Sequence, residues 1–219
     1  MLSRFNSANH AFEYMFSLVM HYGRRTSKTK ALSNIGFYLD DPMNNDITCK
    51  WRKWNKDYAE YEWNWYLSQN RSVEELKLKA KIWDTMHDGD NIVNSNYGWQ
   101  WNRNGQLGYV INELKRDKET RRAVLSIYDG KEHESYKYDT PCTLSIMFNI
   151  IDDKLCMTVN MRSNDLIYGF CNDQYCFSKL QEIVAKEVGL PIGWYFHFVN
   201  DLHIYEKHFK LNERVTTSI

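Results

Sequence analysis

Between residues 8 and 22 the apolar side chains Ala8, Ala11, Phe12, Met15, Phe16, Leu18, Val19 and Tyr22 fall near one helical face, which predicts an opening amphipathic helix. The polar, basic stretch 23–30 predicts a loop. A second helix is predicted to start after Asn55 and to carry Tyr58, Tyr61, Glu62 and Trp65 on neighbouring turns, which sets one carboxylate among aromatics. Ser72 with Glu75 three residues later gives a capping-box signal for a short helix, with Leu76, Leu78 and Ile82 continuing the apolar positions towards Trp83. Residues 88–91 break that pattern. Leu107, Val110, Ile111 and Leu114 then return to helical spacing before a turn at 116–119.

From Arg121 the apolar rhythm changes to period two. Residues 123–127, 144–150 and 155–161 read as strands, the last two joined as a hairpin through Asp152, Asp153 and Lys154. A further helix is predicted over 175–188, stopping at Gly189, with an apolar run at 194–199 beyond it. The chain shows no repeat, low-complexity tract or linker. These features predict an α+β fold in one domain over residues 1–219.

Composition narrows the classes. Lys+Arg and Asp+Glu both number 28, so the formal net charge is zero and no general electrostatic attraction to nucleic acid or membrane surface is expected. Any phosphate must be held locally. Aromatic residues make up 15% of the chain, enough for a packed core, and no apolar run is long enough to span a bilayer; a soluble, cytoplasmic protein is expected. The five cysteines, at 49, 142, 156, 171 and 176, contain no Cys-x-x-Cys pair and fit neither a disulfide framework nor a zinc site.

Cys142 lies in Pro141-Cys142-Thr143, where a loop enters a strand. Alone it reads as a small buried hydrophobe, as do Cys49, Cys156 and Cys176. Two basic groups change that: Arg121-Arg122 stands at a strand start and Arg162-Ser163 at a strand end, a donor set suited to a phosphate monoester. Several arginines near a thiol would lower its pKa and favour the nucleophilic thiolate. An isolated Arg pair reads equally as a solvated surface feature.

In order along the chain stand Thr120-Arg121-Arg122, Pro141-Cys142, Arg162-Ser163-Asn164-Asp165 and Asp201-Leu-His203-Ile-Tyr205-Glu-Lys-His208. Together they resemble the motifs of thymidylate synthase and its relatives, the pyrimidine nucleotide hydroxymethylases. Weaker similarity at Arg25-Thr26, 62–65, 82–84 and Tyr97-Gly98 extends the resemblance over roughly residues 25–209. The stretches 94–99 and 160–173 look more like phage deoxycytidylate hydroxymethylases, above all in Asp173, which stands where a thymidylate synthase carries the Asn that reads uracil. Cytosine offers an exocyclic amine as donor and N3 as acceptor, the reverse of uracil at these positions, so a carboxyl sharing a proton with N3 fits it. Asp173 also reads as the N-cap of the 175–188 helix.

The resemblance implies a single thymidylate synthase-like catalytic domain with a large mixed, mostly antiparallel sheet flanked by helices. The implied reaction is 5-hydroxymethylation of dCMP, with 5,10-methylenetetrahydrofolate as cosubstrate and no metal. Thymidylate synthesis from dUMP, methylation of dCMP and a non-catalytic nucleotide binder or RNA-binding regulator are the alternatives. The implied nucleophile is Cys142, the general acid and water-organising carboxylate Glu62, and the proton-transfer hydroxyl Tyr97, with Asp173 reading the base. Glu62 also reads as a solvated helix charge. Arg25, Arg121, Arg122, Arg162 and Ser163 are implied for the phosphate, and His203 and Tyr205 for the deoxyribose hydroxyl. Trp83, Asp84 and Asp165 are implied for the folate, Asp165 also for the nucleotide; Trp83 reads equally as core. The resemblance further implies a homodimer in which Arg121 and Arg122 reach the other subunit's site, with no direct DNA or membrane partner and work in a phage host's cytoplasm.

The sequence also departs from thymidylate synthases. Thr143 replaces the His after the nucleophile, and Cys171 replaces a Pro and reads as a packing residue or as a second reactive thiol. The long C-terminal segment that closes over the folate is not expected here, and weaker exclusion of water would suit capture by water.

Overall fold

The computed structural model describes residues 2–87 and 90–211. After a short edge strand β1 (Ser3–Phe5), the predicted opening helix forms as α1 (Ala8–Tyr22), with the Ser7 hydroxyl capping it by accepting from the His10 N–H at 3.1 Å. Stretch 23–30 is not a loop throughout: β2 (Arg24–Arg25) folds back on β3 (Thr29–Leu39), pairing Arg24 with Ala31 and Arg25 with Lys30. Its basic side chains are exposed or half-exposed, so no apolar alternation marked the hairpin. β3 itself escaped the sequence reading because Ser33, Asn34 and Gly36 interrupt its alternation, Asn34 with a left-handed φ of 57°.

Helix α2 (Lys56–Ser68) begins where predicted, the Asn55 side chain accepting from the Tyr58 N–H at 3.1 Å. The capping box at Ser72 does not form. Helix α3 (Glu74–Lys77) is a single turn with no side-chain cap, and a separate 3₁₀ turn follows at Lys81–Asp84. Leu76 is buried, but Leu78 and Ile82 are 84% and 59% exposed, so their helical spacing spans two unconnected turns. The predicted break at 88–91 lies partly outside the described residues.

Helices α4 (Tyr97–Asn102) and α5 (Gln106–Arg116) precede β4 (Val124–Ser126), β5 (Thr143–Ile151) and β6 (Lys154–Met161). The β5–β6 hairpin turns on Asp152 and Asp153, both at positive φ. A two-residue strand β7 (Asn164–Asp165) leads into α6 (Gly169–Val188) and the long β8 (Ile192–Tyr205). Helix α6 starts six residues before the predicted 175. Asp173 therefore sits inside the helix and is not its N-cap.

The mixed sheet has eight strands in the main order β1-β3-β8-β6-β5-β4, with β2 on β3 and β7 on β8. β3 runs antiparallel to β8 and β5 to β6, whereas β6 and β8 are parallel and joined through α6. Helices α1, α5 and α6 cover one face, where Phe37, Phe148, Val159, Tyr195 and Val199 are buried in one continuous core, with the buried His197 ring against Phe37. On the other face Tyr38, Trp194, Phe196 and Phe198 remain half-exposed; Tyr38 and Phe196 stack with centroids 4.6 Å apart. Among the described residues no helix is long and apolar enough to cross a membrane.

Candidate active site

Cys142 precedes β5, and the chain holds it in place mainly through Arg162 at the end of β6. The Arg162 backbone N–H donates to the Cys142 carbonyl at 2.8 Å, and its guanidinium donates to the carbonyls of Pro141 at 3.1 Å and Thr140 at 3.0 Å. That leaves Arg162 Nη2 3.8 Å from Cys142 Sγ. The expected low thiol pKa is not found: burial raises it to about 11, outweighing the attraction of Arg162, and Asp173, Asp139 and Asp165 add to the rise. One cation does not offset burial together with three carboxyls.

Tyr97 opens α4, and its hydroxyl accepts from the Thr143 N–H at 3.3 Å, next to the thiol. Gly98 makes this placement possible, since a Cβ there would stand 1.6 Å from the Tyr66 carbonyl oxygen of α2. Asp139 fixes the preceding turn, accepting from the N–H groups of Asn94 and Ser95 and from the Ser95 hydroxyl.

Glu62 points inward from α2 and is 7% exposed. Its Oε2 accepts from Asn172 Nδ2 at 2.9 Å, while Asn172 Oδ1 accepts from Trp54 Nε1 at 2.9 Å. Burial, with the neighbouring Asp173 carboxyl, raises the Glu62 pKa to about 8. Asp173, one turn into α6, is raised to about 7 by burial against an opposing hydrogen bond from Asn164, whose Nδ2 donates to Oδ2 at 2.7 Å. Two neighbouring acids, of which Asp173 acts on Cys142, thus have pKa values raised to near 7, as acid–base chemistry near that pH requires.

Asp165 joins this group, its Oδ1 accepting from the Ile167 N–H at 2.8 Å and its pKa raised by burial. His203 and Tyr205 lie on β8 with ring centroids 5.0 Å apart, and His203 Nδ1 is 2.9 Å from Asp201. They share one strand face, and the charges of Asp165 and Cys142 act on Tyr205. Ser163 is half-buried beside Arg162.

The remaining predicted residues are not gathered at Cys142 in the single chain. Arg25 is exposed and pairs with Glu206 at 2.9 Å. Arg121 and Arg122 are exposed, and Arg122 Nε reaches Glu113 at 3.1 Å. Asp84 is exposed. Trp83 is buried, its Nε1 donating to the Tyr58 hydroxyl at 2.8 Å and its ring 5.5 Å from Trp65, so the core reading describes most of its surface. Of the groups expected for a folate, Asp165 alone faces the cysteine pocket; Trp83 borders it through Tyr58, whose pKa burial and Glu62 raise. Cys49, Cys156, Cys171 and Cys176 are buried as expected. Among the described residues no His, Cys, Asp and Glu side chains gather in a group that could hold a metal.

Asn164, Asn172 and His197 were not assigned roles from sequence. The two asparagines stood inside the quoted motifs, and the signal for His197 was its place between Phe196 and Phe198 in an apolar strand.

A sequence model described as "Thymidylate synthase" matches residues 14–218. The chain is 31% identical to a thymidylate synthase of Fusobacterium nucleatum, over 77% of its own length and 63% of that protein's. It is 29% identical to thymidylate synthase 1 of Bacillus spizizenii, over 74% of its own length and 61% of the relative's. Its identity to the deoxyuridylate hydroxymethyltransferase of Delftia phage PhiW-14 is 31%, over 83% of this chain and 55% of that one. The chain belongs to the thymidylate synthase family. It spans less than two thirds of the length of these relatives.

Proposed function

We infer that the chain is a folate-dependent one-carbon transferase that converts dCMP to 5-hydroxymethyl-dCMP. The observation carrying this reading is Asp173, a carboxyl in place of an amide, held near neutrality beside Cys142. A half-protonated carboxyl accepts from the cytosine amine and shares its proton with N3.

Cys142 adds through sulfur to ring carbon C6, and the electron pair moves to C5, which becomes the carbon nucleophile. Methylenetetrahydrofolate, when bound, would supply the one-carbon unit to C5; release of tetrahydrofolate with loss of the C5 proton then leaves an exocyclic methylene on the base, still tethered to Cys142. Water then adds to the exocyclic methylene, and Cys142 leaves C6 as the ring double bond re-forms. Glu62, largely protonated at pH 7, serves as proton donor and orients that water. Tyr97 relays protons beside the thiol, and Asp165 with Trp83 borders the folate. The 3.8 Å contact from Arg162 stabilises the thiolate as it forms, and Arg162 and Ser163 hold the phosphate.

The phosphate end draws Arg121 and Arg122 from a second copy of the chain, which also explains the open aromatic face of Tyr38, Trp194, Phe196 and Phe198. Arg25 joins them by exchanging its exposed Glu206 partner for phosphate, and His203 with Tyr205 reads the deoxyribose hydroxyl.

The names of two relatives favour a second reading, thymidylate synthesis from dUMP, while the phage relative's name pairs hydroxymethyl transfer with a uracil nucleotide. One assay separates them: methylenetetrahydrofolate with an equimolar mixture of dCMP and dUMP, read by mass spectrometry. CH2O gained on dCMP is expected. CH2O on dUMP keeps the hydroxymethyl step and overturns the base assignment; CH2 on dUMP with dihydrofolate formed overturns both.

A further inference from the structure

Asp173 is the end of a row of buried polar groups. Asn164 Nδ2 donates to Asp173 Oδ2 at 2.7 Å, His197 Nε2 lies 3.2 Å from Asn164 Oδ1, and the Tyr195 hydroxyl is 2.8 Å from His197 Nδ1. Tyr195 and His197 are fully buried and Asn164 is 2% exposed. Donor and acceptor chemistry fixes the direction. The Asn164 carbonyl accepts only, so His197 Nε2 carries the hydrogen. Burial keeps the imidazole neutral, lowering its pKa to about 3, so Nδ1 is a lone pair that accepts from Tyr195. Every donor in the row therefore points towards one oxygen of Asp173. Gly169 leaves the room for it: a Cβ there would stand 2.7 Å from Asn164 Nδ2 and 3.3 Å from Asp173 Oδ2.

A neutral carboxyl with both oxygens free is ambiguous as a base reader. It meets cytosine with its O–H on N3 and its carbonyl under the amine. It meets uracil equally well by moving the proton to the other oxygen, so that the carbonyl takes N3–H and the O–H reaches O4. An N–H that already donates to Oδ2 makes that oxygen the acceptor and leaves Oδ1 for the proton. We propose that Asn164, locked by His197 and Tyr195, is a specificity-determining positioning residue that fixes the order of donor and acceptor on Asp173, so that the site reads cytosine and rejects uracil. Asn164 acts through Asp173 and does not touch the base. The inference rests on the function proposed above.

The test compares kcat/KM for dCMP and dUMP in the wild type, in Asn164→Leu, which removes the donor at similar volume, and in Tyr195→Phe, which releases the His197 tautomer while leaving Asn164 in place. In Asn164→Leu the preference for dCMP falls about 10-fold or more, with dUMP turnover unchanged or raised; in Tyr195→Phe it falls about 3-fold. An unchanged ratio, or equal losses on both nucleotides, overturns the proposal, because a merely structural role lowers both alike. If Asn164→Leu does not fold, the ratio in Tyr195→Phe decides alone. A wild type that prefers dUMP overturns the dCMP assignment, and the positioning role then stands or falls on whether the ratio still moves in the variants. Should the wild type turn over neither nucleotide, the same ratio is read from dissociation constants by calorimetry, and failure to bind either overturns both readings.

Discussion

The two ends of the candidate site are built in opposite ways. At the proposed base end, His197, Asn164 and Asp173 are hydrogen-bonded in a row and Asn172 is bonded to Glu62, all inside one chain, with Glu62, Asn164 and His197 buried. At the proposed phosphate end, Arg25, Arg121 and Arg122 are exposed; Arg25 holds the exposed Glu206 and Arg122 the Glu113 carboxylate of α5. A buried polar group must find its partner within the fold, because leaving it unpaired costs about 1–3 kcal/mol. An exposed guanidinium loses little by waiting. The first end is finished by folding; in the function proposed above, the second is finished by association.

The largest test of this contrast joins both ends. Cys142→Ser removes the nucleophile and lowers kcat by about 10⁴-fold or more. Arg121→Ala weakens a charge-assisted phosphate contact and raises the nucleotide KM by about 10- to 100-fold. If each phosphate end is completed by a second copy, mixing the two impaired variants under subunit exchange, at nucleotide well below the raised KM, regenerates sites carrying an intact cysteine and an intact arginine. Steady-state assay of the mixture checks this, and activity that never exceeds the sum of the separate variants means that the arginines serve their own chain.

A smaller effect tests the base end alone. Asp173→Asn presents an amide that suits uracil, so kcat/KM shifts towards dUMP by about 100-fold relative to dCMP. Equal loss on both nucleotides means that Asp173 serves the fold and not the reading of the base.

The two ends also differ in how far the sequence announced them. Cys142, Arg162, Asp165, Asp173, His203 and Tyr205 lie in short runs whose spacing survives any error in element boundaries, and the structure brings them around one pocket. The fold class was legible for a similar reason, since the period-two runs of β5 and β6 and the helical face of α1 are long enough to average out single exceptions. What was lost depends on neighbours distant in sequence. The Cys142 pKa turns on how many arginines face the thiol against how many carboxyls, and the chain order of motifs does not show that balance. The Asn164–His197 contact depends on β7 pairing with the end of β8, a parallel contact with no local signal. The early start of α6 hides behind Gly169, whose missing side chain makes room for the Asn164–Asp173 contact.

The smallest expected effects separate the two ends by solution conditions. Glu62 titrates at about 8 in the folded chain against an ordinary 4.5, and Asp173 at about 7 against 3.8. Between about pH 4 and pH 8 the unfolded chain has already released these protons while the folded one keeps them, so stability falls as pH rises through that window and levels off above it. The full contribution of these two acids is present only at the acid end of the window. Thermal unfolding of the wild type is expected to drop by about 5 °C between pH 5 and pH 8, and Glu62→Gln, which cannot ionise, to lose less than half as much. Since every other titrating group is common to both proteins, the difference between the two slopes isolates Glu62; parallel slopes mean that Glu62 is not held as a buried neutral acid. Salt does the converse. Raising it screens the exposed Arg25–Glu206 pair and the phosphate contacts, so nucleotide KM rises with ionic strength. The wild-type difference in unfolding temperature between pH 5 and pH 8, set by buried acids, stays nearly constant over the same salt range. A pH-dependent stability that salt abolishes would place the acids at the surface and remove the contrast between the two ends.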